Sequence, residues 1–152
     1  MAAALKERIE ADVKAALLGG NRFAAQTLRG LKAAILNNEV AQGRRDEGLN
    51  DDEIQAIVAR EVKKRNESIA LYEANGRDEL AADEKQEVDI LSVYLPQQLS
   101  ETELQAIIDR IVAEFGVSGS QAMGQVIGAV KKEVGVAADG ALVAKLVKTT
   151  LG

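Results

Sequence analysis

The chain of 152 residues is 47% apolar, carries a net charge of −5, and contains one proline, no histidine and no cysteine. Without histidine or cysteine it cannot build a Ser-His or Cys-His nucleophile from its own residues, nor a zinc site of the usual nitrogen and sulfur ligands. The acidic balance argues against a general nucleic-acid coat, and an alanine-rich, proline-poor composition predicts an all-α protein.

The N-terminus MAAALKERIE has no cationic start ahead of a long apolar core, so no secretory leader is read there. No apolar run is long enough for a transmembrane helix, so no membrane partner is expected. Absence of cysteine suits a reducing cytoplasm, which is the expected location. Leu5, Ile9, Val13 and Leu17 recur at four-residue steps and predict a first helix over about 3–17, stopped by Gly19–Gly20. Asn21 then caps a second helix with Ala24, Leu28, Leu31 and Ile35 on one face. Arg29 and Lys32 flank that apolar stripe. The segment QGRRDEGLN (42–50) has two glycines and no apolar rhythm, so it reads as a mobile loop. Asn50 caps a long third helix ending near Ala74, and Asn75–Gly76 turns the chain into a fourth over about 77–94.

So short a connection predicts an antiparallel hairpin. On the third helix Ile54, Val58, Val62, Ile69 and Tyr72 share a stripe whose middle is occupied by Arg65. On the fourth, Leu80 and Leu91 define a stripe that includes Glu84 and Glu87. A turn at 75–76 sets Arg65 opposite Glu87, which predicts a partly buried pair with Glu87 or Glu84 that fixes helix register. Lys63 and Lys64 flank Arg65 but point about 100° apart, so the trio forms no single basic face.

Leu95–Pro96 breaks the helical pattern and is the predicted boundary between a four-helix bundle (1–95) and a three-helix C-terminal domain (96–152). Ser100 and Glu103 read as a capping box ahead of Leu104, Ile107, Ile108, Ile111 and Phe115. A sixth helix starts near Ser120, and Asp139 caps a seventh. Within the sixth, Gly124 and Gly128 stand four apart in a helical pattern, where glycine costs roughly 1 kcal/mol against alanine. Two readings follow: tight helix packing inside the domain, or close approach of a polyanion backbone gripped by Lys131 and Lys132. From Ser118 onward four lysines (131, 132, 145, 148) face only Glu133 and Asp139, so an acidic chain carries one basic spot. The carboxylates are spread along helices at solvent-face spacing, so no metal centre and no cofactor are expected.

In order and spacing, several segments resemble the GatB/YqeY family in its stand-alone YqeY-like form. They are LKERIEADVKAA, TLRGLKAAILNNEV, EVKKRNESIALYEANGRDELA, YLPQQLSETEL, MGQVIGAVKK and ADGALVAKLVKTTL. The resemblance implies a helical N-terminal domain and a tail similar to the C-terminal region of the GatB chain of the glutamine-dependent aspartyl/glutamyl-tRNA amidotransferase. It reaches Met123, Gly124, Gly128, Lys131, Ala138, Asp139, Leu142, Val143, Leu146 and Val147, and no catalytic residue. The family-level activity it implies is a carbon–nitrogen ligase with glutamine as amido-N donor.

Three functions are thus expected in competition. A tRNA-binding accessory module would use Gly124, Gly128, Lys131, Lys132, Lys145 and Lys148, with Arg29 or Lys32 on the same face. A protein–protein adaptor docking on an amidotransferase or synthetase subunit would expose an apolar patch around Val126, Val130 or Val143. A protein contributing to C–N bond formation would need a nucleophile or nucleotide site, and the sequence offers neither.

Overall fold

Caps and breakers set most element boundaries. The computed structural model describes residues 3–152; Met1 and Ala2, which opened the leader reading, lie outside them. Among the described residues there are seven α-helices and no strand. They are α1 (Ala4–Leu18), α2 (Arg22–Ala41), α3 (Asp51–Ala74), α4 (Asp78–Ser92), α5 (Glu101–Phe115), α6 (Met123–Val134) and α7 (Gly140–Leu151). The chain divides into two compact units, Met1–Leu95 and Pro96–Gly152.

In the first unit the Asn21 side chain accepts the Ala24 N–H at 3.1 Å, and Asn50 and Glu53 form a reciprocal capping box on α3. The methyl side chain of Ala3 cannot cap α1. Asp51, at the start of α3, accepts the Leu5 N–H instead, at 3.0 Å. The core joins Ile9 and Val13 of α1, Leu28, Leu31 and Ile35 of α2, Ile54 and Val58 of α3, and Leu91 of α4. Each such side chain contributes about 1.5–3 kcal/mol by leaving water. On α4 the stripe differs from expectation: Ala81 is buried while Leu80 is exposed. Tyr94 closes the unit, its hydroxyl donating to Asp12 at 2.6 Å beneath the Arg8 guanidinium.

The 42–50 segment, read as a mobile loop, is pinned. Leu49 is buried, and its N–H donates to Glu39, itself 1% exposed, at 3.3 Å. Lys6 reaches the same carboxylate at 3.0 Å. Arg44 bonds the Gly48 carbonyl at 3.1 Å and Glu53 at 2.6 Å. Lys6 stands 33 positions from Glu39, and the nearer partners meet across a non-helical stretch, so no periodicity reveals them.

In the second unit Ser100 accepts the Glu103 N–H at 3.1 Å, and Gly116 ends α5 in the left-handed conformation that glycine adopts without strain. A 3-10 turn (Ser120–Ala122) leads into α6, a second one (Gly135–Ala137) follows it, and Asp139 caps α7. Leu104, Ile108 and Ile111 of α5 pack with Val126 and Val130 of α6 and Val143, Leu146 and Val147 of α7. The Leu99 N–H donates to Ala137 at 2.8 Å, tying the start of the unit to the α6–α7 connection.

Candidate nucleic-acid interface

Helix α6 has two distinct sides. Val126 and Val130 are fully buried, whereas Gly124, Gly128, Lys131 and Lys132 are exposed. At 100° per residue Gly124, Gly128 and Lys131 share one stripe, with Gln125 and Lys132 along its edge. A Cβ added at Gly124 or Gly128 would meet nothing within 4 Å. The expectation of tight helix packing at this pair is therefore corrected: the glycines face outward and leave the helix backbone bare. Gln125, exposed beside them, adds an amide donor and acceptor that attention to the lysines passed over. Its signal was available, since it follows Gly124 directly and lies three residues before Gly128.

Lys131 and Lys132 occupy the last turn of α6, where a cation also favours the negative end of the helix dipole. The Lys131 chain runs toward the start of α7, its Nζ 3.4 Å from where a Cβ on Gly140 would stand. An ammonium and the N–H-rich start of a helix thus converge, with the Asp139 cap beside them accepting the Ala141 N–H at 3.4 Å. Farther along α7, Lys145 and Lys148 are exposed. Among the described residues none of these four lysines has a carboxylate within ion-pair distance, whereas Arg110 of α5 pairs with Glu114 and Glu133. The surface offers unpaired cations and bare backbone, which suit a run of phosphates.

The apolar patch expected of an adaptor is not at Val126, Val130 or Val143. All three are interior to the second unit, because their spacing faces the α5–α6–α7 core. Arg29 and Lys32 belong to α2 of the first unit, and both are exposed.

Arg65 is held inside the α3–α4 hairpin at 17% exposure. Its guanidinium bonds the Glu61 carboxylate at 3.2 Å and the Glu61 carbonyl at 3.0 Å, and lies 3.7 Å from Glu87. Glu84 makes no ion pair with it among the described residues. Burial pushes the Glu84 carboxyl above the usual range, and the neighbouring charge of Glu87 adds to that. Burial also raises Glu61, but hydrogen bonds from Lys64 and Arg65 outweigh it and hold Glu61 low. Glu61 was not anticipated, because a hairpin-register argument looks across to α4 and not one turn back along α3. Among the described residues no group of three or more acidic side chains gathers as metal ligands would.

Comparison with known proteins adds the following. The family model described as "Yqey-like protein" matches residues 6–151. Relatives named "Altered inheritance of mitochondria protein 41, mitochondrial" occur in several fungi. The one from Lachancea thermotolerans is 28% identical over 110 residues, covering 70% of this chain and 57% of its own length. The Pyrenophora tritici-repentis protein is 25% identical over 148 residues, covering 95% and 80%. That of Eremothecium gossypii is 33% identical over 87 residues, covering 57% and 46%. The chain thus spans about half the length of two of these relatives. The cytoplasmic location expected above is corrected by these names, each of which is mitochondrial. Lack of cysteine removes disulfides in any compartment and so never identified one.

Proposed function

The chain belongs to the YqeY-like family, and we propose that it is a tRNA-binding accessory protein related to glutamine-dependent tRNA amidation, with α6 and the lysines of α7 as its RNA-facing surface. One observation carries the reading: two outward glycines four apart, with nothing over them, lead directly into two unpaired lysines. Phosphate oxygens approach a helix lacking Cβ atoms more closely, and ammonium groups then neutralise them. Neither α6 nor α7 carries an aromatic residue, so the contact is to backbone and shape, not to stacked bases. In this reading the chain's own residues bind and orient the tRNA, and the amidation chemistry belongs to another protein.

The test is binding to total tRNA across a salt series, with wild type beside Lys131→Glu/Lys132→Glu. If the four lysines each neutralise a phosphate, affinity falls roughly 50- to 150-fold between 50 and 200 mM salt. The double variant should bind weakly and lose about half of that salt slope. Wild-type binding that is absent at low salt, or unchanged in the variant, rejects the reading.

A further inference from the structure

On the first unit, α2 presents a face that its core does not explain. Arg29, Ala33, Leu36 and Val40 fall in one stripe at 100° per residue, and all are exposed, Leu36 by 42% and Val40 by 57%. Single exposed apolar residues are ordinary. Here three lie in succession along one ridge with a groove on each side. Between α1 and α2 a cavity of about 240 Å³ is walled by Ile9, Ala33, Ile35 and Leu36, with Lys32 and Glu10 among its charged groups. Between α2 and α3 a second, of about 390 Å³, is lined by Asn37, Asn38 and Ile57 and edged by Arg60 and Lys64.

The charge around this ridge is one-sided. Among the described residues Arg29, Lys32 and Arg60 have no carboxylate within ion-pair distance, and the charge of Lys64 is met by Glu61 at 2.7 Å. Lys6 and Glu39, at the floor of the α1–α2 groove, neutralise each other. Glu10 alone opposes the trend, and it sits on the α1 wall.

We propose that the α2 ridge is a docking surface for an acidic amphipathic helix of a partner protein. Its apolar edge covers Ala33, Leu36 and Val40 and sends a side chain into the α1–α2 groove. Its carboxylates meet Arg29, Lys32 and Arg60, and its flank toward Glu10 carries no negative charge. The chemistry favours a protein over RNA: a phosphate backbone would leave Leu36 and Val40 uncovered, and the ridge carries no aromatic on which a base could stack. Arg29 and Lys32 thereby serve protein recognition and not the α6 surface.

The probe is a stapled amphipathic helix of about eighteen residues, with leucines along one edge and glutamates flanking it, titrated into the isotopically labelled full-length protein. A counterpart with lysine in place of each glutamate and a short RNA hairpin are titrated in parallel. The acidic peptide should shift the amide signals of Ala33, Leu36, Asn37 and Val40. Arg29→Glu/Lys32→Glu should weaken it by at least about tenfold. Leu36→Ser/Val40→Ser should abolish the shifts while the amide signals of α3 and α4 keep their positions, which tells lost docking from lost folding. Equal binding of the lysine peptide, silence of the ridge at millimolar acidic peptide, or ridge shifts produced by the RNA instead would each overturn the proposal.

Discussion

Replacing Gly124 and Gly128 with alanine should change stability and RNA binding in opposite directions. Nothing stands within 4 Å of either added methyl; Gly128 is interior to α6 and Gly124 lies in its first turn. Each substitution therefore stabilises the folded state by roughly 0.5–1 kcal/mol through lower backbone entropy in the unfolded chain. If phosphates lie against the bare backbone, the same methyls hold them off and tRNA affinity falls. Gly30 provides the control, since it too is helical, exposed and open, but on α2. Gly30→Ala should raise the melting temperature and leave tRNA binding unaltered. Melting curves and a tRNA titration on the three proteins check this; tighter or unchanged binding by the α6 variants would remove close approach from the mechanism. The lysines were legible as residues because composition changes sharply after Ser118. Which way the glycines face was not, since Gly124 and Gly128 fit both an inward and an outward stripe until the positions of α5 and α7 decide.

At the scale of the α3–α4 hairpin, two glutamates on facing helices should respond oppositely to neutralisation. Glu84 holds its carboxyl above its unfolded range because of burial and the charge of Glu87. A group raised in this way binds a proton more readily folded than unfolded, so its contribution declines as pH rises above about 4.3. Glu84→Gln should then stabilise the protein at neutral pH and do little at pH 3.5. Glu61 has the opposite sign. Its depressed carboxyl stabilises above about pH 4.3, and that contribution is lost as pH falls through the folded value. Glu61→Ala removes a charge-assisted bond to Arg65 and should cost about 2 kcal/mol at pH 7, less in acid. Urea unfolding at both pH values measures the pair of differences; a shared sign for the two variants would contradict the electrostatic account. The hairpin was legible because Asn75–Gly76 fixes the turn and a short turn fixes which residues face each other. Likewise the caps at Asn21, Asn50, Ser100 and Asp139 act within three residues, so sequence exposes them directly. Glu39, Leu49 and Lys6 were invisible for the converse reason. Lys6 and Glu39 are separated by 33 positions, and only the packing of α1 on α2 brings them together.

For the molecule as a whole, two cores of unequal size imply unequal tolerance of the same lesion. The first gathers residues from α1 through α4, the second from α5 through α7, and among the described residues none belongs to both. A domain of the second unit's size buries a smaller fraction of its surface on folding and has correspondingly little stability in reserve. Ile54 and Ile108 are fully buried, one in each core. Shortening either to alanine removes the same atoms and leaves the same kind of cavity, at a cost of about 2–5 kcal/mol. In the larger unit that loss is partial, so Ile54→Ala should lower a melting transition without abolishing it. In the smaller unit it approaches the whole stability, so Ile108→Ala should strip amide-exchange protection from α5, α6 and α7 while α1 to α4 stay protected. The proposed tRNA surface would go with them, because the outward stripe of α6 exists only while Val126 and Val130 are seated in the core. Exchange mapped on the intact chain tests this: protection lost equally across both units in Ile108→Ala would mean that the two cores do not stand separately.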